Sequence, residues 1–378
     1  MPCLLSPTSE EILVRLHPSV TGSEAQGALR VSTAPWKQTG ATEDKLPIGQ
    51  LRQALGDLMA PRPAFYWIDF LASITCFYAS FAASALLRLN NPLKPFGVVV
   101  AFLSLYRAVV FIHELAHQSP GRVPGFHIAW NLLCGVPLLV PSLLYGSHRD
   151  HHTLHAYGTM KDGEYRPWGC PGNRIGMVMF VLSSFLAMPA GVLRFGLLGP
   201  LSWFSGSVRE WVAIYASSLV VEPRYRRDPP SRQEARGWRA QEAGVFAYLL
   251  AIAAGLAAGL IGTELLVQLY LISTAGMFLN SLRTLAAHRY CSAGDPLTKT
   301  QQLLDTLNYP RRSWVVPLWA PVGLRFHAMH HLFPGIPYHN LSAAHDRVMG
   351  MLPEGSPYHR TARHGLANSL SELWRNAR

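Results

Sequence analysis

Residues 64–87 read AFYWIDFLASITCFYASFAASALL, 24 positions in which Asp69 is the only charge. A helix of that length crosses the hydrocarbon layer of a bilayer, which is about 30 Å thick. Arg62 and Arg88 bracket the run, and Tyr66 and Trp67 lie near its start, where interfacial aromatic residues gather. The stretch predicts a first membrane span, and with it an α-helical membrane protein.

Other blocks extend this reading. Residues 96–112 are apolar apart from Arg107 and run directly into His113, which predicts a second span with ionisable groups at its far end. Residues 244–287 carry only Glu264 and Arg283 as charges. As one straight helix they would rise about 66 Å, so two spans joined by a turn near Gly262, Thr263 and Glu264 are expected. Residues 127–145, interrupted by Pro137 and Pro141, suit a buried or interfacial piece. Residues 175–198, with Pro189 and Arg194, suit an interfacial or re-entrant helix rather than an irregular span. The expected architecture is therefore all-α and multi-pass, with about four transmembrane helices. Arg-rich residues 223–239 should face the cytoplasm, which puts both termini there too. Residues 1–60 read as an N-terminal arm with a short helix near 51–59, residues 61–350 as the membrane domain and residues 351–378 as a tail.

Composition narrows the classes. Only 15% of the 378 residues are charged, against about 25% in an average soluble domain. The net charge of +11 comes from basic clusters beside apolar blocks, which favours a membrane surface over nucleic acid. The five cysteines, Cys3, Cys76, Cys134, Cys170 and Cys291, form no close pair, so a disulfide framework is not expected. No secretory leader is apparent.

The chemistry lies in the histidines. Ten of the 16 occupy three clusters and one outlying position. His113 and His117 are spaced i to i+4 at the end of the second span, which stacks both rings on one helix face. His148, His151 and His152 follow an HxxHH rhythm, with His155 as a possible addition, and His327, His330 and His331 repeat it. His288 lies one turn beyond the fourth span. The topology carries all of them to one membrane edge. Nine imidazoles exceed one tetrahedral ion and suit two metals; imidazole alone does not fix the element. Glu114 and Asp150 are candidates to accept a hydrogen bond from the outer nitrogen of a ligating histidine. Asn280 is placed to bind a metal-bound water, and Arg283 to pair with a carboxylate.

HELAHQS from His113, HRDHHTLHAYGTMKDGEY from His148 and HAMHHLFPGIPYHNL from His327 resemble the three histidine boxes of the membrane-bound fatty acid desaturase superfamily. The resemblance covers roughly residues 60–350. It implies a cytoplasmic non-haem di-iron centre held by His113, His117, His148, His151, His152, His288, His327, His330 and His331. It also implies the use of O2 and two electrons to place a double bond in an acyl chain, carried as a lipid, an acyl-CoA or an acyl-ACP. Asp162 and Glu164 fall in TMKDGEY, similar to the TxxDPEY of some bacterial members, with Gly163 in place of proline. They join the supporting carboxylates, with a surface or capping role open for each. An unactivated methylene has no acidic proton, so a hydrogen atom must be taken by an oxidant made from O2 at a metal. No HPGG haem motif, nucleotide fingerprint or cysteine cluster is present, so electrons are expected from a ferredoxin or a b-type cytochrome with its reductase. The bacterial inner membrane is the expected location.

Three alternatives remain. Hydroxylation, ketolation or acetylenic-bond formation can begin with the same C–H abstraction on the same scaffold. HELAH also satisfies HExxH, the zinc-hydrolase signature in which Glu114 would activate water. A metal carrier is the third.

Overall fold

The computed structural model describes residues 46–169 and 172–377, so the expectation for most of the N-terminal arm lies outside the described residues. The architecture is all-α. Among the described residues, five helices are long and apolar enough to cross a bilayer, namely α1 (Pro63–Leu86), α2 (Leu93–His117), α3 (Arg174–Phe204), α4 (Arg232–Ala257) and α5 (Thr263–Leu285). The sequence count of about four is thereby corrected to five candidates.

The added member is α3. Its sequence is divided by Pro189 and Pro200, and its 31 residues alternate α turns with 3₁₀ turns at Ser183–Leu186 and π turns at Leu193–Leu198. Each proline removes an N–H from the i to i−4 ladder, and the irregular turns accommodate the loss. Met177, near its start, packs with Leu285 and Tyr290, beside His288. Trp203, near its end, meets Phe246 edge-on at 5.5 Å, only halfway along α4. The chain then turns into Gly206–Tyr215, and the Leu219 N–H reaches the Leu144 carbonyl at 2.8 Å. Both ends of residues 174–219 therefore lie beside segments that carry histidines.

The remaining helices begin and end for local reasons. Residues 258–262 break the long apolar run where a turn was expected, with Gly259 at φ +67°, a backbone state open to glycine. Helix α4 starts at Arg232, earlier than its apolar part, because Ser231 and Glu234 form a reciprocal capping box; half of the basic stretch is thus helical. A short helix at Ile48–Ala54 with a 3₁₀ turn at Gly56–Leu58 matches the one expected near residues 51–59. The C-terminal residues are part of the fold: Tyr309 Oη bonds Ser369 Oγ at 2.8 Å, and Leu373 joins the Tyr157, Trp168 and Tyr290 cluster. Cys291 is disulfide-bonded, which corrects the expectation from spacing; sequence separation does not reveal which cysteines folding brings together.

In α1 the buried positions Tyr66, Phe70, Ile74 and Phe77 form one stripe, while Phe65, Ile68, Leu71 and Tyr78 face outward. Asp69, the one charge of α1, meets Arg107 of α2: Arg107 donates to Asp69 at 2.7 and 2.5 Å, and Tyr338 Oη adds a bond to Asp69 at 3.0 Å. A charge at membrane depth without a partner is costly, so this pair fixes the register of α1 against α2. Replacing either partner alone (Asp69→Leu or Arg107→Met) is expected to destabilise by about 1–3 kcal/mol, because it strands the other charge. The double variant should lose less than the sum; additive losses in thermal unfolding in detergent would show that the pair is not coupled.

Candidate metal centre

Helical phase sorts the histidines into two groups. Residues i and i+4 share a face, and the residue between them in HxxHH points about a quarter-turn away. In the short helix His148–His151 and its cap, the pair His148 and His152 turns toward the end of α2, and His151 turns toward the end of α5. In His327–Leu332 the pattern is reversed, with His327 and His331 facing His288 while His330 faces His117. One group is His113, His117, His148, His152 and His330; the other is His151, His288, His327 and His331. Within each group the ligand atoms lie within 4.8 Å of one another. These nine are the nine that the sequence singles out.

For eight of the nine, all but His113, the inward atoms are the Nε2 nitrogens. In the first group, His330 Nε2 lies 3.1 Å from His117 Nε2 and 3.3 Å from His152 Nε2, and His152 lies 3.0 Å from His148. In the second, His288 Nε2 lies 2.8 Å from His327 and 3.3 Å from His151, and His331 lies 3.1 Å from His327. Two imidazole nitrogens each about 2.1 Å from a shared ion, at about 90–109°, would be roughly 3.0–3.4 Å apart. Five of the six observed distances fall in that range, and His288–His327 at 2.8 Å is slightly shorter. The groups adjoin, with the His152 and His331 rings 4.2 Å apart.

Electrostatics agree. Burial, reinforced by the neighbouring rings, holds the imidazoles of His148, His152, His327, His330 and His331 well below their ordinary pKa. A neutral ring offers a lone pair, as a metal requires. At His151 burial acts the same way, but the adjacent Asp162 carboxylate reverses it and raises the pKa.

Outer nitrogens fix several tautomers. His151 Nδ1 donates to Asp162 Oδ2 at 2.8 Å, and Asp162 is itself held by the Gly158 and Glu164 amides at 3.0 and 2.9 Å. His148 Nδ1 donates to Glu164 Oε1 at 2.8 Å, while Tyr145 Oη donates to the other oxygen at 3.2 Å. Burial pushes Glu164 up to about 7. His288 Nδ1 donates to Tyr157 Oη at 2.8 Å, whose hydroxyl donates to Asp305 at 2.7 Å. Sequence reasoning missed Tyr157 and Asp305. A buried acid within the apolar run LLDTL, with no cation nearby in sequence, was the available signal.

Four expectations need correction. Glu114 contacts none of the nine histidines; its carboxylate accepts from Tyr66 Oη and from the Tyr338 amide, because position 114 is rotated about 100° from His113. Asp150 accepts from Tyr225 Oη at 2.9 Å instead of from a histidine. His155 is exposed and joins neither group, since the helix ends at His151 and its phase does not continue. Arg283 pairs with no carboxylate among the described residues; it donates to Asn280 Oδ1 at 2.9 Å and Thr284 Oγ1 at 3.1 Å.

A cavity of about 410 Å³ reaches the first group at His113. Its walls are mainly apolar, including Val109, Leu138, Met188 and Met277, with Asn280 and Arg283 also facing it. The centre thus combines nine convergent lone pairs, two carboxylate-supported rings and a chamber sized for part of a lipid chain.

A profile of the family described as fatty acid desaturase matches residues 90–362. The chain belongs to the fatty acid desaturase family. Like other members of this di-iron, histidine-box superfamily, which includes both desaturases and hydroxylases, it is a multi-pass membrane protein and an oxidoreductase of the lipid-modifying kind. Ceramide hydroxylase of Caulobacter vibrioides is 36% identical to it over 335 residues, which cover 88% of this chain and 95% of that protein. No solved structure gives a significant match. In this family member the two histidine groups are suited to a non-haem di-iron cofactor.

Replacing Asp162 with Asn should loosen His151 and weaken iron retention about 10- to 100-fold, read by chelator competition. His155→Ala and Glu114→Gln should retain iron like the parent. Equal retention in Asp162→Asn would show that the carboxylate does not support the centre.

Proposed function

We propose that the protein is a lipid hydroxylase, which places one oxygen atom from O2 on a C–H bond of a long-chain lipid of the ceramide class. The observation that carries this reading is the nearly full-length match to a ceramide hydroxylase. The three histidine boxes do not discriminate, because desaturation and hydroxylation share them; acyl desaturation, the reaction expected from the sequence, is the second reading.

Under this proposal His113, His117, His148, His152 and His330 hold one iron and His151, His288, His327 and His331 hold the other. When bound, the iron pair supplies the oxidant, formed from O2, that an unactivated C–H bond demands. The protein positions and protects. Asp162, Glu164 and the Tyr157–Asp305 pair keep three imidazoles oriented with Nε2 inward. Apolar cavity walls admit the lipid and exclude bulk water near His113. The balance is R–H plus O2, two electrons and two protons giving R–OH and one water. Desaturation would instead remove two hydrogens and release two waters.

The electrons come from a separate ferredoxin or b-type cytochrome with its reductase, docking on the basic face near residues 223–239. That face and the metal centre lie on the cytoplasmic side of a bacterial inner membrane, with both termini on the same side. Substrate and product remain among the membrane lipids.

The test uses the purified protein in lipid nanodiscs with a ceramide, a ferredoxin with its reductase, and isotopically labelled O2. The expected product has gained one labelled oxygen and appears only when the reductase system is present. A product that has lost two hydrogens and carries no label would establish desaturation instead. Iron chelation and His330→Ala should each reduce turnover to background, with iron content falling in parallel; full iron and full turnover in His330→Ala would remove that residue from the ligand set.

A further inference from the structure

Three arginines lie within the long helices at or near the bundle interior, and the protein treats them differently. Arg107 pairs with Asp69. Arg194 pairs with Glu242 at 2.5 Å and also donates to the Ala216 carbonyl at 2.6 Å and Ser217 Oγ at 3.1 Å. Arg283 is only 9% exposed and has no carboxylate partner among the described residues. Its Nη2 is occupied by Asn280 and Thr284, the Tyr106 hydroxyl and, at longer range, the Glu164 carboxylate interact with it, and its Nε is buried without any partner. A buried cation left in this state is costly unless something else supplies an acceptor.

The place of Arg283 says what that acceptor is. It lines the cavity that reaches His113, and three further polar atoms of lining residues outside the histidine groups are buried and unpartnered, Ser218 Oγ, Ser273 Oγ and Arg194 Nη1. Ser218 follows the helix Gly206–Tyr215, whereas Ser273 and Arg283 are both on α5, so the three approach the chamber from two elements. A cavity meant only for methylenes gains nothing from four unsatisfied polar groups. The neutral partners already on Arg283, and hydroxyls that can both donate and accept, suit a neutral head bearing hydroxyl and amide oxygens.

We propose that Arg283, supported by Asn280, receives the polar end of the substrate inside this cavity, with Ser218 and Ser273 completing the receptor. The oxidised carbon then lies within a few bonds of a hydroxyl or amide group, and the lipid enters head first with its remaining chain trailing along the apolar walls. This inference rests on the hydroxylase reading for its substrate class and deepens it. Arg283 is a positioning residue, which fixes the carbon presented to the metals without itself reacting.

The experiment compares the parent with Arg283→Met, Arg283→Lys and Ser273→Ala in nanodiscs. Binding of a ceramide, a free fatty acid and an alkane of matched chain length is measured on iron-free protein, and KM, kcat and the position of the new oxygen on iron-loaded protein. Arg283→Met is expected to weaken ceramide binding about 10- to 100-fold, leave alkane binding unchanged and retain iron. It should raise KM more than it lowers kcat and spread oxygen over several carbons. Arg283→Lys should recover part of the affinity and the regiochemistry, and Ser273→Ala should lose a few-fold in affinity. Unchanged ceramide binding and product position in Arg283→Met would overturn the proposal. So would Arg283-dependent binding of the fatty acid but not of the ceramide, because the pocket would then be a carboxylate site. If the parent binds ceramide through Arg283 yet releases a desaturated product, the receptor stands and only the hydroxylase reading fails.

Discussion

The constraint on which the structure depends is that nine imidazoles must be held neutral, dry and pointing inward at the edge of a membrane. A protonated ring cannot bind a metal, and a solvated ring does not hold one orientation. Burial addresses the first problem at His148, His152, His327, His330 and His331, because removing the rings from water disfavours their charged forms and each ring depresses its neighbours, while at His151 the Asp162 carboxylate outweighs it. Burial alone does not solve the second. Orientation comes from outer hydrogen bonds: Asp162 on His151, Glu164 on His148, and Tyr157 with Asp305 on His288. The backbone of the 158–164 loop holds Asp162 in turn, so the conformation of that loop sets the aim of a ligand.

The membrane helices serve that arrangement. Helix α2 delivers His113 and His117 at its end, and α5 delivers His288 just past its own. The paired charges Asp69 and Arg107 lock α1 to α2, and Gln268 of α5 bonds Ser84 Oγ of α1 at 2.8 Å and the Phe81 carbonyl at 3.1 Å. These polar contacts sit among side chains that lipid could otherwise solvate equally well, so they fix register where apolar packing alone would allow sliding. Two short helices then face each other with reciprocal HxxHH phase. Neither could complete a metal group alone, which makes the centre a product of tertiary structure.

Much of this was legible in the sequence. Spans are readable because a bilayer imposes a minimum apolar length, and the i, i+3, i+4 spacings are readable because a helix imposes its period. The ligand candidates were therefore within reach, His288 included. What failed were inferences that needed three-dimensional direction. Glu114 was assigned by proximity in sequence, yet one residue along a helix is a turn of about 100°, and that angle carries it to Tyr66. His155 was placed by extending a helix that stops at His151. Tyr157 and Asp305 went unnoticed because they are 148 residues apart and meet only through folding. Proline content made α3 look too broken to be a long helix, although 3₁₀ and π turns absorb those interruptions.

The position of Glu114 also decides between chemistries that the HExxH motif leaves open. A zinc hydrolase needs that glutamate beside a metal-bound water, with the two histidines of the motif sharing one ion with a third ligand. Here Glu114 is buried on another face of α2, bonded to the Tyr66 hydroxyl and the Tyr338 amide. It braces α2 against α1 and the segment after the third histidine cluster. The same five letters that would activate water in one fold serve here to assemble a site from which water is kept away. That difference follows from where seven further histidines converge, and it is why the motif alone cannot name the reaction.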